Sequence, residues 1–189
     1  KYMLKFQKNT PFGKRFNHIS EYLSSHIFEL LGFNTHKTFL GNYRGNEVVV
    51  CKNFITEGTQ FVPFNDVGES SIEVNKELYQ YSYKDIIEIL GRNKKLTNVQ
   101  ETVPIFFEMY IVDAFLGNFD RHGANWGFLK KNNKYSLAPI FDNGSSLFPQ
   151  MIDENEIKLI ISNEDEINKR VYTFPTSQIK LHNKKYSYF

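Results

Sequence analysis

The strongest hydrophobic periodicity lies in residues 19–31. Ile19, Leu23, Ile27 and Leu30, joined by Tyr22, His26 and Leu31, recur at the 3.6-residue period of a helix that buries one face. Asn17 stands where it can cap the N-terminus, and Gly32 closes the C-terminal end. Before the helix, residues 2–6 alternate weakly and read as a strand. Residues 7–17 are polar, carry Pro11 and Gly13, and read as a loop. Residues 37–43 and 47–54 read as two strands of a hairpin whose turn begins at Arg44-Gly45. The second strand holds Val48-Val49-Val50, so it is expected at the sheet centre. Residues 55–74, with Gly58, Pro63 and Gly68, read as a connector.

From about residue 75 the pattern turns helical. Residues 83–91 form a short amphipathic helix ending at Gly91, and Thr97-Asn98-Val99-Gln100 has capping-box spacing. Ile105, Met109, Val112 and Leu116 then mark a buried stripe. A polar loop follows from Asn118 to Asn125. Trp126–Lys130 and Tyr135–Ile140 read as a hairpin around Lys131-Asn132-Asn133-Lys134, and the acidic residues 153–170 read as helical. Strands and one helix come first, then mostly helices with one hairpin. That order predicts an α+β two-lobe fold: a small β-rich lobe over 1–60 and a mainly helical lobe over 61–189.

Composition narrows the function classes. Of 189 residues, 23 are Lys or Arg and 21 are Asp or Glu, a net +2. So small a charge argues against a nucleic-acid binder held mainly by phosphate contacts. The last fifteen residues do carry Lys180, Lys184 and Lys185 with no acid. The single cysteine, Cys51, excludes an intramolecular disulfide and a thiolate-rich zinc site, and points to the cytoplasm. The most apolar stretch, Pro104 to Gly117, is interrupted by Glu108 and Asp113 and is too short to span a bilayer. The opening Lys1-Tyr2-Met3-Leu4-Lys5-Phe6 reads as mid-strand, so a fragment of a longer protein is expected, incomplete at both ends.

One segment concentrates chemistry. In Asn118-Phe119-Asp120-Arg121-His122-Gly123-Ala124-Asn125, Asp120 and Asn125 are five residues apart; beyond the hairpin lies Phe141-Asp142-Asn143-Gly144. Phosphoryl transfer asks for this set. One Asp orients or accepts the hydroxyl proton, while an Asn and a second Asp offer oxygens to Mg²⁺. The spacing follows the logic of a protein-kinase catalytic loop and its metal-binding triplet. Asp, Asn and Gly are also ordinary turn residues, so spacing alone leaves a plain-loop reading open.

These residues, with Leu137-Ala138-Pro139-Ile140-Phe141-Asp142, resemble the C-terminal kinase core of the HipA family. That family comprises bacterial Ser/Thr kinases of toxin–antitoxin systems and the stand-alone CtkA-like kinases. Tyr2–Phe6 resembles the family strand carrying the phosphate-binding lysine. Ser20-Glu21-Tyr22, with Leu30-Leu31-Gly32, resembles its first helix, and Val50-Cys51-Lys52-Asn53-Phe54 its adenine-receiving hinge. The resemblance implies a protein-kinase-like fold that binds ATP and Mg²⁺ between its lobes and phosphorylates a protein Ser or Thr, with an antitoxin as a partner. It implies Asp120 as catalytic residue with His122 supporting the loop, and Lys5, Glu21, Lys52 and Phe54 at the nucleotide. Asn125 and Asp142 would hold the metal.

Three departures stand out. The family's Gly-rich segment lies upstream of the lysine strand and is absent from this sequence, Lys52 replaces the hinge acid, and the family's remaining C-terminal helices would lie beyond Phe189. A nucleotide-binding pseudokinase and a Mg²⁺-dependent phosphohydrolase therefore stay as alternatives. Plainer readings also stay open residue by residue. Lys5 can be an ordinary strand lysine, Glu21 a solvated glutamate or part of a second packed face, and His122 a loop hydrogen-bonder. Phe54 can pack on adenine or fill core, and Cys51 reads as an inert buried thiol.

Overall fold

The computed structural model describes residues 1–189 except 12, 70–80, 94–95, 97–98, 152, 183 and 189. The capping-box spacing at Thr97-Asn98 therefore lies outside the described residues. The first lobe is a three-stranded antiparallel sheet, ordered β1 (Tyr2–Phe6), β5 (Asn46–Lys52), β4 (Thr38–Tyr43), against which helix α1 (Asn17–Leu30) packs. β5 is central, as its β-branched run predicts. Arg44 (φ 53°) and Gly45 (φ 80°) make the two-residue left-handed turn that matches strand twist in tight hairpins.

Three sequence expectations fail in this lobe. Residues 7–17 are not all loop: β2 (Lys8–Thr10) and β3 (Gly13–Arg15) form a small hairpin. Asn17 does not cap α1, because its side chain is used on the strands. Its Oδ1 accepts from the Lys8 N–H at 2.8 Å and its Nδ2 donates to the Phe6 carbonyl at 3.1 Å. The buried face of α1 is also the reverse of the one its Leu and Ile spacing predicts. Ser20, Glu21, Ser24, Ser25 and Phe28 are buried, whereas Leu23, Leu30 and Leu31 are exposed.

The connector expected over 55–74 holds strand β6 (Gln60–Pro63) and helix α2 (Phe64–Glu69). β6 pairs with β7 (Gly127–Lys131), which pairs with β8 (Lys134–Leu137) across a turn with positive φ at Asn132 and Asn133. A Cβ on Gly127 would stand 2.3 Å from the Val62 carbonyl oxygen, so only glycine fits beneath β6.

Helix α3 (Tyr83–Arg92) starts at a capping box in which Ser82 and Asp85 exchange hydrogen bonds. Helix α4 (Val99–Leu116) buries Met109, Val112 and Leu116, with Ile105 half-buried, as its stripe predicts. Phe64 stacks on Trp126 at 4.1 Å between ring centroids, and Phe28 of α1 joins the same cluster, so one apolar core reaches into both lobes. The acidic region divides into α5 (Glu154–Ile161) and α6 (Glu164–Tyr172), because Asn163 caps the second helix. Hairpin β9 (Thr176–Leu181) and β10 (Lys184–Ser187) closes the described chain.

Candidate active site

The reversed face of α1 is explained by what it meets. Lys5 extends from edge strand β1, and its Nζ donates to Glu21 Oε2 at 2.7 Å and to Asp142 Oδ1 at 2.5 Å. Glu21 has no exposed surface. Its Oε1 accepts from the Asn143 backbone N–H at 3.0 Å and lies 2.9 Å from His36 Nε2, which therefore carries the ring proton. Asn143 Nδ2 donates to Ser25 Oγ at 3.0 Å. A Cβ on Gly144 would come within 3.0 Å of the Asn17 carbonyl oxygen and 3.2 Å of Glu21 Oε2, so glycine lets this segment close on α1.

Charge follows from this packing. Burial pushes the Glu21 carboxyl up, but the hydrogen bond from His36 and the charge of Lys5 outweigh it and hold its pKa at about 2, below the ordinary 4.5. Burial pulls Lys5 down, and the Glu21 and Asp142 carboxylates more than offset it, so its pKa is raised. A carboxylate with a depressed folded pKa gives stability that is complete above its unfolded value and fades as pH falls toward the folded one. Glu21 should therefore contribute about 3 kcal/mol at neutral pH that is lost between pH 4.5 and 2. Denaturant titrations across that window check this: Glu21→Gln should show a shallower acid slope than the wild type, and equal slopes would refute it.

The second half of the site hangs from α4. Gly117 (φ 64°) ends the helix and the loop 118–125 begins. Asn125 Nδ2 donates to the Asp120 carbonyl at 2.8 Å, which leaves Asn125 Oδ1 without a hydrogen bond among the described residues. The Asp120 carboxylate is half-exposed, and His122 Nε2 lies 3.7 Å from its Oδ1. His122 Nδ1 accepts from the Ala124 N–H at 3.2 Å, which places the ring proton on Nε2, facing Asp120.

Arg121 joins the two halves. It is buried and grips Asp113 of α4 with two bonds, Nε to Oδ2 at 2.8 Å and Nη2 to Oδ1 at 3.0 Å. Its Nη1 donates to the carbonyls of Asn125 (3.0 Å) and Phe141 (2.5 Å), and Nη2 to Asn143 Oδ1 (2.5 Å). One guanidinium thus ties the loop bearing Asp120 and Asn125 to the segment bearing Asp142. Burial opposes its charge, but Asp113 more than compensates and raises its pKa. Sequence reasoning singled out none of Arg121, Asn143 or His36. One signal existed: Asp113 interrupts an apolar helix, and a buried carboxylate needs a cation.

Lys5, Lys52, Phe54, Cys51, Asn53 and Phe141 line a cavity of about 360 Å³. Phe54 stands 5.4 Å from Phe141 and 6.0 Å from Phe61 between ring centroids, so it packs on two half-buried aromatics while also facing the cavity. The Lys52 side chain is exposed at the end of β5. Glu21 does not line the cavity; it sits behind Lys5. Burial pushes the Cys51 thiol up to about 11, the behaviour of an inert thiol. His122 lines a second cavity of about 380 Å³ that shares no residue with the first.

The donor set suits Mg²⁺. Among the described residues Asn125 Oδ1 accepts no hydrogen bond, Asp142 uses Oδ1 on Lys5 and keeps Oδ2, and the Asp120 carboxylate accepts no hydrogen bond. Among the described residues, no three His, Cys, Asp or Glu side chains cluster tightly enough to cage a metal. Mg²⁺ ordinarily takes one or two carboxylates together with substrate phosphates and does not need such a cage.

A β-rich lobe and a mainly helical lobe with this lysine–glutamate pair between them define a protein-kinase-like fold of the HipA type. The model of the HipA-like C-terminal domain matches residues 1–186, and the chain belongs to that family. It is 37% identical over 195 residues to the serine/threonine-protein kinase CtkA of Helicobacter pylori (strain J99), covering all of this chain and 59% of that protein. The chain thus spans about three fifths of that relative's length. The crystal structure of an H. pylori proinflammatory kinase CtkA superposes with a TM-score of 0.87 at 37% identity, covering 98% of this chain and 66% of that one. HipA of Shewanella oneidensis MR-1, in a toxin–antitoxin complex with HipB and operator DNA, superposes at 0.57 and 16% identity. That match covers 90% of this chain and 50% of HipA, and is a likeness of fold. Among the described residues, no helix is long and apolar enough to cross a membrane.

Proposed function

We propose that this chain is the core of an ATP- and Mg²⁺-dependent protein kinase that transfers the γ-phosphoryl group to a Ser or Thr hydroxyl. The observation that carries the reading is Lys5 Nζ held between Glu21 Oε2 (2.7 Å) and Asp142 Oδ1 (2.5 Å). Residues 5, 21 and 142 have no local reason to meet, and a lysine–glutamate pair beside a metal-binding Asp is what kinase catalysis requires. The CtkA relative, named a serine/threonine-protein kinase, supports the same reading.

In this scheme adenine enters the cavity lined by Phe54 and Lys52, and Lys5 meets the phosphates as a point charge oriented by Glu21. Asn125 Oδ1 and Asp142 hold the metal, whose charge offsets that of the phosphate oxygens. Asp120 takes the proton from the acceptor hydroxyl, and His122 steadies the loop around it. The lobe boundary at 60/61 belongs to the proposal; it falls one residue after the start of β6, whose Gln60–Pro63 pair with β7 of the second lobe. An antitoxin partner rests on family membership, and a cytoplasmic location on the single buried thiol of Cys51.

Incubation with γ-labelled ATP tests the reading. Labelled protein supports it, free phosphate alone means a phosphohydrolase, and ATP bound but intact means a nucleotide-binding module. Lys5→Met should weaken ATP binding by about tenfold or more, since a charge on the phosphates is lost. Unchanged affinity in an ATP titration would remove Lys5 from the site.

A further inference from the structure

Hairpin β9–β10 carries a charge pattern that phosphate and metal binding leave unused. Lys180 and Lys185 stand directly opposite each other in the strand register. Among the described residues neither forms an ion pair, although like charges across a strand pair are destabilising. The face that bears them is fastened to the catalytic loop. Lys185 Nζ donates to Gln178 Oε1 at 2.6 Å, and Gln178 Nε2 donates at 2.5 Å to the carbonyl of Phe119, the residue before Asp120. Beyond β10, Tyr188 donates through its hydroxyl to the Asn118 carbonyl at 2.6 Å.

The same hairpin walls the second cavity. The Lys180 N–H donates to the Tyr81 carbonyl at 3.0 Å, and Tyr81, Asn65, His122, Trp126 and Gln178 line about 380 Å³ of space. Asn65 Oδ1 is buried there without a hydrogen-bond partner. This cavity touches His122 and the catalytic loop but not the Lys5–Phe54 cavity.

We propose that the Lys180/Lys185 face and the cavity it borders receive the phosphoryl acceptor, and that the acceptor is an acidic protein segment with Asp or Glu flanking its Ser or Thr. The inference rests on the phosphoryl-transfer reading and adds its substrate class. Charge complementarity carries the choice: two lysines with no ion pair among the described residues sit opposite each other on the strand pair that Gln178 ties to the carbonyl beside Asp120, and the last fifteen residues contain no acid to neutralise them. An acidic segment docked there relieves the lysine–lysine repulsion.

Three labelled peptides that differ only in Glu, Ala or Lys around one Ser test this, each followed by fluorescence anisotropy and by transfer from γ-labelled ATP. The Glu peptide should bind most tightly, with kcat/KM about tenfold above the Ala peptide and an advantage that shrinks as salt is raised. The double variant Lys180→Glu/Lys185→Glu should invert the order and favour the Lys peptide, a reversal that loss of structure cannot produce. Lys184→Ala, on the opposite face of β10, should keep the wild-type order. A wild type that treats the peptides alike or prefers Lys overturns the proposal, as does a double variant that keeps the Glu preference. Displacement of the Glu peptide by single-stranded nucleic acid at lower concentration assigns the face to nucleic acid instead. If no peptide is labelled yet the Glu peptide binds through both lysines, docking stands and the phosphoryl-transfer reading fails.

Discussion

Asp120→Asn should lower phosphoryl transfer by about a thousandfold while ATP binding in the presence of Mg²⁺ stays close to wild type. The two acidic residues of the site are held in different ways, and the difference sets their roles. The Asp120 carboxylate is half-exposed, accepts no hydrogen bond among the described residues and stands 3.7 Å from His122 Nε2. Such a group is free to take a proton from an incoming hydroxyl. Asp142 is committed on one oxygen to Lys5 at 2.5 Å, and its backbone takes a left-handed φ of 57° that aims the side chain between the lobes. Asp142→Asn removes the carboxylate proposed to hold the metal and the charged partner of Lys5. It should weaken Mg²⁺-dependent ATP binding by at least about tenfold as well as turnover. Isothermal titration of ATP with and without Mg²⁺ separates the two variants. Identical titrations would show the division of roles to be wrong. Wild-type transfer by Asp120→Asn would remove it from catalysis and bring the nucleotide-binding module forward.

The sequence made half of this site legible, and α1 shows why the other half was hidden. Leu and Ile spacing marks a helix face as buried when its surroundings are apolar, as they are for α4 at Met109, Val112 and Leu116. The surroundings of α1 are Lys5, His36, Asn143 and two strands. There Glu21, Ser24 and Ser25 go inward and Leu23 and Leu30 stay out. Partners as distant in sequence as residue 143 leave no trace in a local period. The β2–β3 hairpin was hidden for a related reason. Its strands are three polar residues in β2 and a glycine with two basic residues in β3, with no apolar alternation, and its anchor, Asn17, looks from sequence like a helix cap. The loop 118–125 and the Asp142-Asn143-Gly144 turn were legible because their chemistry is compressed into a few consecutive residues. Arg121 sits in that stretch and was overlooked, since a loop arginine reads as solvated until Asp113 is recognised as needing it.

Removing Arg121 should have the largest effect on stability in this chain. Arg121→Ala leaves the Asp113 carboxylate buried with Asn118 Nδ2 at 2.8 Å as its remaining hydrogen-bond donor among the described residues, and strips a donor from the carbonyls of Asn125 and Phe141. Breaking a buried ion pair from one side costs about 3–5 kcal/mol, which can unfold a domain of ordinary stability. Denaturant unfolding measures the loss, and a change below about 1 kcal/mol would mean that the network carries little. A second variant distinguishes stability from positioning. In Arg121→Met/Asp113→Leu both charges go and apolar groups fill the space, so much of the stability should return. Transfer should not return with it, because the Arg121 donor that links the carbonyl of Asn125 to that of Phe141 is gone, and the segments bearing Asn125 and Asp142 lose their common tether. Folded, nucleotide-binding protein without activity is the expected outcome. A double variant that regains wild-type transfer would show that Arg121 only balances the charge of Asp113 and does not hold the two halves of the site in register.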